Sequence, residues 1–168
     1  RHFCEQYFNI SPMVVGDRNL DLGLDIRIDN PDELGADRIV NAVGANDIYD
    51  GPLIIIDFGT ATTFDITEVD GGYAGGLIAP GINLSLKALY NAASRLPRIT
   101  IEPLPNSKIS ENRYSVIGKS TRSAMQAGIY WGYIGLIEGI IERVKGEYKV
   151  PMQIIATGGL APVFAGNS

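Results

Sequence analysis

Two short stretches bring acids, glycines and hydroxyls together in a way that suits phosphate chemistry. In Asp57-Phe58-Gly59-Thr60-Ala61-Thr62-Thr63 a carboxylate ends a run of aliphatic residues, and a glycine and several threonines follow at once. A glycine lets a ligand approach the backbone, and turn amides and hydroxyls donate to phosphate oxygens. Asp57 could hold a cation beside that phosphate. A hairpin whose glycine makes the turn, with threonines as strand formers, explains the same residues without a ligand. In Gly35-Ala36-Asp37-Arg38 an acid and a base are neighbours, and on a helix they would point about 100° apart and pair poorly with each other. From a helix start both can address one ligand, Asp37 taking a hydroxyl proton and Arg38 clamping an anionic group. The plainer reading is two solvated surface charges.

Three further stretches carry weaker signals. Ala156-Thr157-Gly158-Gly159 stands where a strand meets a helix, so its glycines could let a nucleotide lie against the backbone. It matches neither the G-x-G-x-x-G pattern nor a Walker lysine motif. Gly118-Lys119-Ser120-Thr121 ends like a Walker A motif, but Arg113 occupies the place of its first glycine and no strand precedes it. Ser120 or Thr121 reads instead as a helix cap, with a ligand contact from Thr121 as the sharper alternative. Gly75-Gly76 and Pro80-Gly81 flank a strand and read as turn residues that could shape a pocket floor.

These residues need elements to hold them. Residues 1–9 read as the tail of an amphipathic helix, SPMVVG as a turn with a short strand, and IRID as a possible strand. Pro31 opens a helix-like segment with Asp32 and Glu33 in its first turn, ending before Asp50-Gly51-Pro52. Leu53 to Phe58 is a continuous apolar run typical of a central strand. Ala61 to Glu68 and YAGGLIA follow as two more, giving three consecutive antiparallel strands. INLSLKALYNAASRL reads as a helix, residues 97–112 as a link, and about Thr121 to Lys145 as a long helix. In that helix Gly128, Gly132, Gly135 and Gly139 share one face. Each interior glycine costs roughly 1 kcal/mol against alanine, which a closely packed neighbouring helix would offset. MQIIAT is a final strand running into the start of another helix. The pattern is mixed α/β, and its antiparallel beginning argues against a simple doubly wound fold.

Bulk composition narrows the chemistry. The 168 residues are 45% hydrophobic and 20% charged, with a net charge of −5, which suits a folded domain and argues against nucleic-acid binding. Cys4 and His2 are the sole cysteine and histidine, so neither an internal disulfide nor a thiolate–imidazole metal cluster is expected, and a cytoplasmic setting fits. The first ten residues have no sustained apolar core, and the uncharged helical run Ser123 to Ile137 is too short to span a bilayer. No membrane partner is expected.

GADR, DFGTATT, GGLIAPGINLSLKAL, RLP, GKSTRSAMQAGIYWG and ATGGLA, in that order, resemble type III pantothenate kinases, of the acetate and sugar kinase/Hsp70/actin superfamily, over nearly the whole chain. The resemblance implies an actin-like ATPase (ribonuclease H-like) fold and transfer of the ATP γ-phosphoryl group to pantothenate, the first step of coenzyme A synthesis. It implies Asp37 as catalytic base, Gly35, Asp37, Arg38 and Thr121 on pantothenate, and Gly59, Thr60 and Thr62 on the phosphates. Gly158 and Gly159 would lie near the adenosine, and Asp57 would ligate a monovalent cation, K+ or NH4+. ATP would arrive with Mg2+, and a homodimer would build the pantothenate pocket at the subunit boundary, the glycine face being a candidate contact.

The family's first Asp-x-Gly-Asn-Thr phosphate motif and its usual C-terminal segment have no counterpart in this sequence. The chain therefore reads as a fragment, residues 1–51 ending a first actin-like domain and 52–168 forming a truncated second one, with activity impaired in isolation. A non-catalytic regulatory homologue like the Bvg accessory factors, or another small-molecule kinase of the superfamily, are the alternatives. GADR and DFGTATT together favour the enzyme, because a regulator has no physical need for both.

Overall fold

Four successive aliphatic residues followed by Asp57 and Phe58 form the central strand of a mixed sheet in the computed structural model, which describes residues 1–17, 20–93, 96–101 and 115–164. This strand, β1 (Leu53–Phe58), pairs antiparallel with β2 (Ala61–Thr67) and parallel with β4 (Gln153–Thr157). The third strand, β3 (Tyr73–Pro80), pairs antiparallel with β2, so the order is β3-β2-β1-β4. The three antiparallel strands agree with the sequence pattern.

Side chains alternate across the strands, and the two faces of the sheet have different neighbours. Ile54, Ile56 and Phe58 of β1 join Phe64 and Ile66 of β2 in one core. Its other walls are α3 (Ile82–Ala92), α4 (Thr121–Tyr148) and the short α5 (Ala161–Phe164). Phe164 stacks on Phe58 with ring centroids 5.1 Å apart. On the opposite face Leu53, Ile55 and Tyr73 meet Leu34 together with Ile39, Ala42 and Ala45 of α2 (Ala36–Ile48). A helix–sheet–helix sandwich results, because each sheet face must bury its apolar side against another element.

Local signals set the ends of α4. Ser120 accepts from the Ser123 amide and Ser123 closes a capping box, while Lys149 leaves the helix in the left-handed region at φ 56°. Among the described residues nothing lies within 4 Å of where a Cβ on Gly128, Gly132 or Gly135 would stand. The packed neighbour that the glycine face suggested is therefore not supplied from within the described part of the chain.

Four expectations for the secondary structure need correction. Pro31 opens only a 3₁₀ turn, Pro31–Glu33, because Leu34 turns inward in extended conformation and Gly35, also extended, becomes the N-cap of α2. The SPMVVG segment forms no strand. IRID contributes one parallel bridge, Ile26 to Tyr73; the register of β2 with β3 shifts beside Tyr73, and a bulged edge takes little further pairing. Helix α3 ends at Ala92, where Ala93 is extended; Ser94 and Arg95 of the expected helix, Arg113 and most of the 97–112 link lie outside the described residues. The first helix, α1 (His2–Phe8), and the start of α5 fall where the sequence puts them.

Candidate functional site

The C-terminal ends of β1, β3 and β4 lie at one end of the sheet with the start of β2, because Asp57 pairs with Thr157 and Ala61 with Pro80. Parallel strands commonly open a ligand crevice at such an end. Asp57 is odd-numbered in β1 and so faces α2, where Asn41 donates from Nδ2 to Asp57 Oδ2 at 2.9 Å. Asn41 follows Asp37 by four residues and Arg38 by three, so it is a helical neighbour of each.

The turn from β1 to β2 holds Gly59 and Thr60, both exposed. The Gly59 amide donates to Ala61 O at 3.0 Å, and the Gly81 amide at the head of α3 donates to Thr60 O at 3.2 Å. Gly158 closes the other side. Its φ is +90°, and a Cβ there would stand 2.5 Å from Asp57 Oδ1 and 2.7 Å from the Phe58 amide nitrogen. Only glycine fits both the dihedral and the contact, so the ends of β1 and β4 meet with the Asp57 carboxylate between them. Gly159 next to it is exposed.

At the start of α2 the two charges of GADR part company. Asp37 is exposed in the first helical turn, where the helix dipole favours an acid, and its carboxylate lies back over Gly35: a Cβ there would be 2.5 Å from Asp37 Oδ1. Arg38 runs inward and is far from a solvated surface charge. Its Nε donates to Asp65 Oδ1 at 2.6 Å, and its guanidinium carbon lies 5.8 Å from the centre of the Tyr73 ring. Asp65 is fully buried and also accepts from Tyr73 Oη at 2.6 Å and from Thr63 Oγ1 at 3.1 Å. Burial, then the bond to Asp65, pushes the Tyr73 phenol well above its ordinary value, so it stays protonated and donating.

Thr62 and Thr121 stand apart from this group. Strand parity turns Thr62 to the α4 face, where it is buried and shares a hydrogen bond with the Tyr133 hydroxyl. Burial raises the Tyr133 phenol, and the bond to Thr62 partly offsets it. Thr121 is exposed at the first turn of α4 in an open groove with Leu89, Leu96 and Gly128. Among the described contacts none joins Thr121 to Asp37 or Asp57.

Three residues not singled out from the sequence belong to the arrangement, namely Asn41, Asp65 and Tyr73. Parity from Asp57 identifies Asp65 as facing the same helix, and the i, i+3 step from Arg38 identifies Asn41. Together the groups offer an exposed acid at a helix start, a braced guanidinium, a half-buried carboxylate and an open Gly-Thr turn. That set can take a hydroxyl proton, bind an anion and support a cation.

A family model described as type III pantothenate kinase matches residues 1–143. Among curated proteins, the type III pantothenate kinase of Paramagnetospirillum magneticum is 56% identical over 96% of this chain and 59% of its own length. That of Rhodospirillum rubrum is 54% identical over 98% and 61%, and that of Caulobacter vibrioides 53% over 99% and 60%. The chain thus spans about 60% of the length of the curated relatives it matches.

Proposed function

The chain belongs to the type III pantothenate kinase family, and on that footing we propose that the whole protein carrying it phosphorylates pantothenate with ATP. The observation that carries this reading is the Asn41–Asp57 bond, which ties the helix bearing Asp37 and Arg38 to the strand end bearing the Gly59-Thr60 turn. Proton acceptor and phosphate-binding turn then serve one cleft.

Phosphoryl transfer depends mainly on positioning and charge neutralisation. Asp37 is the base: its exposed carboxylate takes the proton of the pantothenate primary hydroxyl as the oxygen attacks the γ-phosphorus and the bond to the β–γ bridging oxygen breaks, releasing ADP. Gly35 leaves space beside it, and Arg38 meets the substrate carboxylate. The Gly59 and Thr60 turn lines the phosphates, with Thr62 backing it through Tyr133. Gly158 and Gly159 give the adenosine a surface without side chains. Thr121 reaches pantothenate across a homodimer boundary, where the bare glycine face of α4 allows close approach.

Mg2+ bound with ATP would neutralise charge on the phosphates. For a monovalent cation, K+ or NH4+, the donors fit: Asp57 offers a carboxylate with Oδ1 free of the Asn41 bond, next to a turn rich in carbonyl oxygens. Hard oxygen donors of low total charge suit such an ion better than a transition metal. The fold is the actin-like, ribonuclease H-like one, with residues 1–51 completing a first domain whose α2 docks on the second, 52–168. A cytoplasmic location suits these soluble substrates.

The test is ATP-dependent phosphorylation of pantothenate by the whole protein, with Mg2+ and K+ or NH4+, beside its Asp37→Asn variant. Turnover that falls about 10²- to 10⁴-fold in the variant is the expected result. A folded whole protein without turnover, or full activity in Asp37→Asn, would overturn the assignment.

A further inference from the structure

We propose that Asp65, braced by Tyr73 and Thr63, is a positioning residue that aims the Arg38 guanidinium at the carboxylate of the acceptor substrate; this rests on the pantothenate kinase reading above.

Arginine has five N–H donors in one rigid plane. In this structure Nε is committed to Asp65 Oδ1 at 2.6 Å, which fixes that plane, and Nη2 is buried with no hydrogen-bond partner among the described residues. The brace has little freedom of its own. Asp65 is 0% exposed and its two oxygens accept from Arg38, Tyr73 and Thr63. The Tyr73 ring also lies under the guanidinium carbon at 5.8 Å, within the range of a cation–π contact. Gly76 packs directly against Nη2, since a Cβ there would stand 2.5 Å from Arg38 Nη2 and clash with the Phe64 carbonyl.

A buried pair of this kind is seldom optimal for stability, because desolvation of both charges offsets much of their attraction. Its benefit lies in direction. With Nε held by Asp65 and Nη2 buried against Gly76, the guanidinium presents Nη1 in one direction, and a carboxylate oxygen is a strong charge-assisted acceptor for it. The Arg38 side chain is 15% exposed, and because Nη2 is buried, Nη1 is the donor left for a substrate carboxylate.

The experiment measures steady-state kinetics of the whole protein with two acceptors, pantothenate and its analogue with the carboxylate reduced to an alcohol. Asp65→Asn keeps the shape and removes the charge. Expected is a rise of about tenfold or more in KM for pantothenate, with KM for ATP unchanged and KM for the alcohol nearly unchanged. In an Arg38→Lys background the Asp65→Asn change should add nothing. Tyr73→Phe, which removes one hydroxyl, keeps the test alive if Asp65→Asn does not fold; it should shift pantothenate KM in the same direction by about threefold. An unchanged pantothenate KM in active variants, or equal rises for both acceptors, overturns the positioning role while leaving the kinase reading intact. A folded wild-type protein that turns over no pantothenate overturns both.

Discussion

The two faces of the sheet are built from the same strands, yet they differ in kind. Toward α4 the even positions Ile54, Ile56, Phe58, Phe64 and Ile66 make a dry core, with the Thr62–Tyr133 hydroxyl pair as its polar inclusion. Toward α2 the odd positions include Asp57, Thr63, Asp65 and Thr67, with Tyr73, Arg38 and Asn41 around them. One face is packed for cohesion. The other accepts the cost of buried polar groups, which is the expected pattern where a surface has to recognise charge.

The largest effects should separate the faces by how they can be rescued. Phe64→Ala should cost about 3–5 kcal/mol through a cavity, and Arg38→Ala a similar amount by stranding the Asp65 carboxylate. Pairing Arg38→Met with Asp65→Leu should recover at least half of the Arg38→Ala loss while abolishing the pantothenate binding proposed for Arg38. Denaturant unfolding of the whole protein checks all three, and a double variant no more stable than the single one would mean that the α2 face is held together by its charges.

Hydroxyls on the two faces should differ next. Thr62→Val removes one of the Tyr133 hydroxyl's two partners, the other being the Ile82 backbone, and should cost about 0.5–1.5 kcal/mol. Thr67 is fully buried, and its hydroxyl has no partner among the described residues, so Thr67→Val should be neutral or stabilising by up to about 1 kcal/mol. Thermal unfolding with the opposite ranking would contradict the geometry. Gly158→Ala should cost more than the about 1–2 kcal/mol of its positive φ, since the new methyl also meets the Phe58 backbone, and lower turnover as well by displacing Asp57.

The smallest effect is a pH dependence. Tyr73 has a native pKa raised above its ordinary 10.0, so above about pH 10 the folded state keeps a proton that the unfolded chain loses. Stability then falls as pH rises through that range. Tyr133 and Tyr148 shift in the same direction, so Tyr73→Phe should flatten the decline in part. An unchanged slope in urea titrations at pH 9 to 11 would remove Tyr73 from the account.

Much of this was legible in the chain because local rules dominate it. The apolar run at Leu53, the Gly-rich turns and the Ser120 cap specify their elements with little help from the rest of the molecule. The turn holding Gly59 and Thr60 was readable for the same reason. The partner of Arg38 was not, since the Arg38–Asp65 pair joins residues 27 positions apart and only the docking of α2 onto β2 brings them together. Pro31 misled because a good helix start can be overruled by one buried leucine, here Leu34. Thr62 shows that residue type alone does not give direction, which strand parity does.

The parallel pairing of β4 with β1 joins residues about a hundred positions apart, whereas β1, β2 and β3 follow one another through tight turns. Closing so long a loop has a large entropic cost before any contact repays it. The hairpins should therefore form early on the folding route and β4 dock late, making Gly158 the last part of the cleft to arrive. Amide exchange should then be faster along Gln153–Thr157 than in the centre of β2, so the β4 end of the cleft can open while the α2 side stays folded.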